Sequence, residues 1–145
     1  MYRKKVGVVC GGYSSEYEIS LQSGKNVFSM LDREKWEVFY IVLTKESWTA
    51  KDDSSNLYNV SKGDFSLNRS DISIKIDLIF NLIHGSLGEN GQLAALWELL
   101  EIPFSSCSSY NAALTLNKRD CLSVLREWNI PCLLYTSDAA DEGLG

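Results

Sequence analysis

Two carboxylates stand in a glycine-containing segment near the start of the chain. The segment reads GGYSSEYEISLQSGKNV (residues 11–27), and Glu16 and Glu18 lie where its helical pattern begins. Its glycines lack the G-x-G-x-x-G spacing of a dinucleotide-binding loop, and the Gly-Lys-Ser/Thr of a Walker A motif is absent. Because two acids disfavour a phosphate, an ammonium group is the better ligand. Ser15 and Glu18 match a capping box, whereas Glu16 fits a ligand contact and a merely solvated carboxylate equally well.

The only histidine of the chain follows a long apolar run. It opens the segment HGSLGENG (residues 84–91), in which Gly85, Gly88 and Gly91 let the backbone pass close to a ligand. The imidazole of His84 is suited to donate a hydrogen bond to a carboxylate or phosphoryl oxygen. The alternative is a ring that only satisfies a neighbouring carbonyl. A carboxylate and an imidazole facing each other across adjacent strand ends would suit a zwitterion such as an amino acid.

Strand patterns precede both segments. Residues 4–10 and 36–44 are rich in β-branched and aromatic residues, and residues 74–85 form a nearly continuous apolar run. Such a run is typical of a central parallel strand that is buried on both faces. Residues 45–71 are polar and turn-rich, which predicts a surface excursion with a short hairpin around residues 61–64.

Helical patterns alternate with these strands. The first helix is expected to bury a face that repeats every four residues, formed by Ile19, Ser23, Val27 and Leu31. A second helix follows the histidine loop, a short strand is expected at IPFSS, and two short helices end the pattern, the last capped by Asn117. The order predicts an α/β fold with a mainly parallel sheet flanked by helices. Both chemical segments then lie beyond the carboxyl ends of strands, where such sheets bind ligands.

Composition excludes several classes of protein. The 145 residues carry a net charge of −5, and the pI of about 4.9 argues against a nucleic-acid or anionic-membrane partner. The four cysteines have no metal-ligand spacing, so no metal site is expected. The first apolar run is too short for a signal peptide or a membrane span, which leads us to expect a cytoplasmic protein.

Three blocks of sequence resemble the amino-terminal domain of the D-alanine–D-alanine ligase family. They are GGYSSEYEISLQSGKNV, HGSLGENGQLAALWELLEIPF and SSYNAALTLNKRDCLSVLREWNIP, in the family's order and spacing from about Lys4 to Pro131. The resemblance implies a Rossmann-like domain that precedes an ATP-grasp portion. It also implies an enzyme that uses ATP and magnesium to phosphorylate the carboxylate of one D-alanine. The amine of a second D-alanine then attacks, and the dipeptide serves peptidoglycan synthesis.

The resemblance assigns roles to individual residues. Glu16 would be the catalytic carboxylate that engages the ammonium group of the first D-alanine, and Ile19 and Ser20 would line the same subsite. His84 and Gly85 would contact the carboxyl end of that D-alanine, where negative charge develops during transfer. Orienting the reactants and neutralising such charge supply much of the catalysis of reactions of this kind.

The nucleotide is expected to bind mostly elsewhere. Lys118 matches a family lysine that reaches the ATP phosphates, but the family's other ATP contacts, its magnesium carboxylates and the second D-alanine belong to two further domains. We therefore expect this chain alone to be catalytically incompetent and to bind ATP weakly or not at all. The parent enzyme is expected to be a homodimer. Without its neighbours, the domain is expected to expose apolar surface.

The end of the sequence departs from the family pattern. We expect one family domain over residues 1–131 and a disordered tail over residues 132–145. CLLYTSDAADE, which begins that tail, resembles the conceptual translation of a sequencing adapter, so our hypothesis is a reading frame that runs from the ligase gene into adapter sequence. A natural truncated homologue with an acidic tail is the alternative. The alternatives for function are a free-standing flavodoxin-like binding module, or part of a ligase that joins D-alanine to D-lactate or D-serine.

Overall fold

A seven-stranded sheet with four helices forms the part of the chain that the structure, a computed structural model, describes, residues 3–132. The strands are β1 (Lys4–Gly11), β2 (Trp36–Leu43), β3 (Trp48–Lys51), β4 (Leu57–Val60), β5 (Leu67–Arg69), β6 (Ile72–Ile74) and β7 (Leu78–Asn81). The helices are α1 (Tyr17–Met30), α2 (Gln92–Leu99), α3 (Ser109–Leu116) and α4 (Lys118–Glu127). The α/β class expected from the sequence is confirmed.

The sheet is mixed rather than mainly parallel. Its order is β6-β5-β4-β3-β2-β1-β7, and only β1 pairs in parallel, with β2 on one side and β7 on the other. The remaining four pairings are antiparallel. The sequence prediction missed strands in residues 45–71, because this segment is polar and its strands are short. These strands extend the sheet beyond β2. The hairpin expected around residues 61–64 is confirmed, because it connects β4 to β5.

The apolar run at residues 74–85 does not form the long central strand that the sequence predicted. Leu78–Asn81 pair as β7 beside β1, with one residue of the four buried, whereas Ile74 ends β6 and pairs with Leu67 of β5. Beyond β7 lies a single parallel bridge between Ile79 and Phe104, which confirms a strand-like segment at IPFSS. The central strand is β1, whose apolar residues from Val6 to Cys10 are at most 2% exposed.

Helix α1 begins and packs differently from the sequence prediction. Its N-cap is Glu16, without a side-chain cap bond, so the expected capping box of Ser15 and Glu18 is wrong. Its buried residues are Ser20 and Gly24, one position beyond the predicted face, and Ile19 is 60% exposed. Small residues replace large ones at this contact because the helix lies directly against β1. A Cβ added at Gly24 would be 2.7 Å from the Sγ atom of Cys10.

The main hydrophobic cluster joins side chains of the sheet to Leu93 and Trp97 of α2. Trp97 of α2 is fully buried and packs edge-on against Phe65 at 5.7 Å between ring centroids. Asn117 caps α4 as predicted, because its side chain accepts a hydrogen bond from the backbone N–H of Asp120 at 3.2 Å. Contacts of α2 with α3 and of α3 with α4 join the last three helices.

The tail and the surface of the domain were also the subject of expectations from the sequence. The predicted tail at residues 132–145 lies, apart from Cys132, outside the described residues. Among the helices of residues 3–132, none is long and apolar enough to cross a membrane. The expected exposed apolar surface is present on the last helices, where Tyr110 is 69% and Trp128 is 75% exposed.

Candidate functional site

The carboxyl ends of β1 and β7 bring the two chemical segments together. The last parallel pair of these strands is Val9 with Asn81, and the N–H of Leu82 donates to the carbonyl of Val9 at 2.8 Å. Beyond that point the chain leaves β1 through Gly12, whose added Cβ would lie 2.6 Å from the side chain of Ile83. The structure therefore confirms that the two segments lie at the same edge of the sheet.

Glu16 and the turn after His84 are direct neighbours. A Cβ added at Gly85 would be 3.1 Å from the Oε2 atom of Glu16 and 3.0 Å from the Oγ atom of Ser14. Gly85 also has a φ of +73°, a left-handed conformation that favours glycine. The absence of a side chain at this residue thus leaves room beside an exposed carboxylate.

His84 is partly exposed at the same place. Its side chain is 39% exposed, and its Nδ1 atom lies 3.8 Å from the Oε1 atom of Glu89. The contact becomes an ion pair when the imidazole is protonated. The backbone of this loop closes on itself, because the N–H of Glu89 donates to the carbonyl of Gly85 at 2.9 Å. Sequence reasoning did not single out Glu89, although it stands in the histidine loop.

Two serine hydroxyls connect the segments. The Oγ atom of Ser20 accepts from the N–H of Gly11 at 2.8 Å and donates to the carbonyl of Leu82 at 2.7 Å. The Oγ atom of Ser14 accepts from the N–H of Glu16 at 3.3 Å and donates to the carbonyl of His84 at 2.8 Å. Ser20 is fully buried, so its side chain joins the segments from beneath rather than facing an open surface.

Asn81 holds the histidine loop at both of its ends. Its Oδ1 atom accepts from the N–H of Ile83 at 3.2 Å, and its Nδ2 atom donates to the carbonyl of Gly88 at 3.2 Å. Sequence reasoning missed this residue. The signal that could have found it is a single amide side chain inside an apolar run, directly before the histidine segment.

A cavity of about 400 Å³ opens between the histidine loop and α3. Its lining includes Asn81, His84, Glu89, Ser106, Cys107 and Thr115. It is large enough for a small organic molecule. The imidazole of His84 and the carboxylate of Glu89 provide its ionisable groups on the loop side.

The remaining predicted residues lie at different distances from this site. Ile19 lies in the first turn of α1, three residues after Glu16, with its side chain largely exposed. Lys118 is the first residue of α4 and is exposed. The described hydrogen bonds and ion pairs do not connect it to Glu16 or His84.

Magnesium does not fit the described part of the chain. Residues 3–132 contain no group of three or more His, Cys, Asp or Glu side chains that could hold a metal ion. Glu98, an acid near the site, is already engaged: both the backbone N–H and the hydroxyl of Ser109 bind its carboxylate. These bonds lower the pKa of Glu98 and fix the start of α3.

Comparison with known proteins settles the family. The family model described as the D-ala D-ala ligase N-terminus matches residues 5–107. The chain belongs to this family. A D-alanine–D-alanine ligase from Christiangramia forsetii is 44% identical over 128 residues, which are 88% of this chain and 39% of that protein. The chain therefore spans about two fifths of the length of the curated relatives it matches.

Solved structures of ligases have the same fold. D-alanyl-alanine synthetase A from Vibrio cholerae superposes with a TM-score of 0.80 at 28% identity, covering 98% of this chain and 44% of that one. The VanG D-Ala:D-Ser ligase from Enterococcus faecalis gives a TM-score of 0.74 at 31% identity, covering 86% of this chain and 42% of that one. Family membership favours a ligase domain over an unrelated flavodoxin-like module.

Proposed function

We propose that this chain supplies the site for the first D-alanine of an ATP-dependent D-alanine–D-alanine ligase. The observation that carries the proposal is the approach of Glu16 to Gly85, where a Cβ would be 3.1 Å from the carboxylate. It places the acid of the first segment beside the turn that carries His84. A zwitterionic amino acid needs one group for its ammonium and another for its carboxylate, and the two segments supply them at one edge of the sheet.

Each side chain has a chemical role in this proposal. The carboxylate of Glu16 binds the ammonium group of D-alanine through charge-assisted hydrogen bonds. His84 and the backbone of Gly85 contact the carboxyl end, where negative charge develops during transfer. Ile19 contributes apolar surface in the first turn of α1. Ser20 belongs to the subsite as its support, since its buried hydroxyl holds the carbonyl of Leu82.

ATP and magnesium bind mostly outside this domain in our proposal. ATP supplies the phosphoryl group that activates the carboxylate of the first D-alanine. Lys118, an exposed cation beside Arg119 at the start of α4, is suited to contact one phosphate but does not build a nucleotide site. We assign the magnesium ligands and most ATP contacts to the ATP-grasp portion of the ligase. The domain itself is residues 1–131. We further propose that the whole ligase is a cytoplasmic homodimer that serves peptidoglycan synthesis.

The second substrate is proposed to be D-alanine. The curated relative from Christiangramia forsetii, which is 44% identical, is named a D-alanine–D-alanine ligase. The structural neighbour named a D-Ala:D-Ser ligase is 31% identical, which keeps D-serine as the second candidate.

A fusion enzyme tests the proposal. Residues 1–131 replace the corresponding amino-terminal part of the Christiangramia forsetii ligase, and ATP-dependent formation of D-alanyl-D-alanine is measured. We expect activity that His84→Ala reduces at least about 10-fold, because a hydrogen bond to a developing charge contributes roughly 1.5–3 kcal/mol. A folded fusion enzyme that is active and indifferent to His84→Ala contradicts the assignment.

A further inference from the structure

We propose that Ser14 is a positioning residue that fixes Glu16 relative to His84. The inference rests on the proposed function, because it concerns the geometry of the same D-alanine site. Ser14 lies outside α1 and was not singled out by the sequence patterns. Its hydroxyl bonds the backbone of both residues: it accepts from the N–H of Glu16 at 3.3 Å and donates to the carbonyl of His84 at 2.8 Å.

Ser14 and Ser20 together replace strand pairing where that pairing ends. The parallel register of β1 and β7 stops at Val9 and Asn81. Gly11 and Gly12 then have φ values of +92° and +101°, in the left-handed region. The two hydroxyls bond the alternate carbonyls of Leu82 and His84. Alternate residues along one strand are those that a neighbouring strand would bond.

The two serines differ in what they hold. Ser20 is fully buried and joins the end of β1 to Leu82, so its main effect falls on stability. Ser14 is only partly buried and lies at the outer end of the junction. Its Oγ and Cβ atoms are each 3.0 Å from the Cβ position of Gly85, the same position that Glu16 approaches. Loss of its hydroxyl therefore releases the segment that carries the carboxylate from the turn that carries the imidazole.

The consequence for binding follows from the size of one hydrogen bond. An intramolecular hydrogen bond of this kind contributes about 1 kcal/mol, which corresponds to a several-fold change in affinity. The change should appear in the KM for the first D-alanine. The KM for ATP should not move, because the nucleotide binds mostly outside this domain.

Ser14→Ala in the fusion enzyme, with Ser15→Ala as the matched control, tests the inference. Ser15 is the adjacent serine and is exposed. We expect Ser14→Ala to raise the KM for the first D-alanine about 3- to 10-fold. The KM for ATP should stay close to that of the parent. Ser15→Ala should leave both KM values unchanged.

Each result decides one of the two claims. If Ser14→Ala leaves the KM for D-alanine unchanged, or weakens D-alanine and ATP equally, Ser14 does not position the site and the inference is overturned. Glu16→Gln is assayed in the same series. A parent-like Glu16→Gln enzyme would instead show that the proposed function itself has failed, whatever the result at Ser14.

Discussion

Glu16 and Glu18 are separated by one residue, and the fold gives their carboxylates different surroundings. Glu16 caps α1 through its backbone only, and its side chain approaches Gly85 of the other segment. Glu18 lies in the first turn of α1, where its charge adds to burial in raising the pKa of Tyr17. The sequence pattern predicted a capping box of Ser15 and Glu18, whereas the N-cap residue is Glu16, because a capping-box pattern says nothing about where the backbone turns into the helix.

A side chain at Gly85 should destabilise the fold. Its φ of +73° and the 3.1 Å approach of Glu16 to its Cβ position act together. We expect Gly85→Ala to lower the free energy of unfolding by about 1–2 kcal/mol and to impair the fusion enzyme. Gly63→Ala is the control, because only the Oγ atom of Ser61 lies near its Cβ position, at 3.9 Å. Equal denaturation midpoints for the two variants would contradict this explanation.

Cys10 should make the fold sensitive to alkaline pH. Burial raises the pKa of its thiol from 9.0 to about 11, and the thiol donates to the carbonyl of Ile41 at 3.4 Å. Between these pH values the unfolded chain has lost the proton and the folded chain has kept it, so stability falls as pH rises. We expect the chain to lose roughly 2 kcal/mol more than a Cys10→Ser variant between pH 8 and pH 11.

Denaturant unfolding at both pH values measures that difference. The Cys10→Ser comparison removes the contribution of other alkaline groups, among them Tyr40, whose pKa burial also raises. A parallel pH dependence for the two proteins would refute the role of Cys10. Thiol labelling offers a second readout: exposed Cys107 should react in the folded chain, whereas Cys10 should react only after unfolding.

At the scale of elements, helix α1 shows what a hydrophobic pattern misses. A repeat of large residues predicted the face through Ile19, but the helix rests on Ser20 and Gly24. Close contact with β1 selects small residues, and a pattern of apolar residues does not register them. The same limit applies to the sheet, where short polar strands between residues 45 and 71 escaped detection because each has only three or four residues.

Gly24 tests the packing of α1 on β1. Alanine favours an exposed helix interior by roughly 0.5–1 kcal/mol over glycine. At Gly24, however, the added Cβ would be 2.7 Å from Cys10 and 3.1 Å from the ring of Tyr40. We expect overpacking to dominate, so that Gly24→Ala destabilises the chain by about 1–3 kcal/mol. Ser29→Ala on the exposed face should change stability by less than about 0.5 kcal/mol. A stabilised Gly24→Ala protein would show that the contact is looser than described.

At the scale of the whole molecule, the three sequence blocks predicted the family and the position of the candidate site better than the strand pattern predicted the topology of the sheet. Glu16 and His84 were identified because rare residue types stood beside glycines at strand ends. Asn81, Ser14 and Glu89 were missed, because their importance lies in contacts between segments far apart in the chain. Such contacts exist only once the sheet aligns β1 with β7.

Because we assign most ATP contacts to the ATP-grasp portion of the ligase, we expect this chain alone to bind nucleotide poorly. Residues 3–132 hold no acidic cluster for a metal ion, and Lys118 is the one nucleotide contact that we propose for this domain. We expect calorimetry to detect no tight binding of ATP with magnesium to the 145-residue chain. The fusion enzyme, which carries the ATP-grasp portion of the Christiangramia forsetii ligase, should bind ATP with magnesium and serves as the positive control. Tight, magnesium-dependent binding to the chain alone would contradict this division.

The central claim is that Glu16, and not its neighbour Glu18, binds the ammonium group of the first D-alanine. The most direct measurement compares Glu16→Gln with Glu18→Gln in the fusion enzyme, by kcat/KM for D-alanine at saturating ATP. We predict a loss of about 10- to 100-fold for Glu16→Gln, as expected for removal of a charged hydrogen-bond partner, and less than about 2-fold for Glu18→Gln. Equal effects of the two substitutions, or the reverse order, would contradict the account.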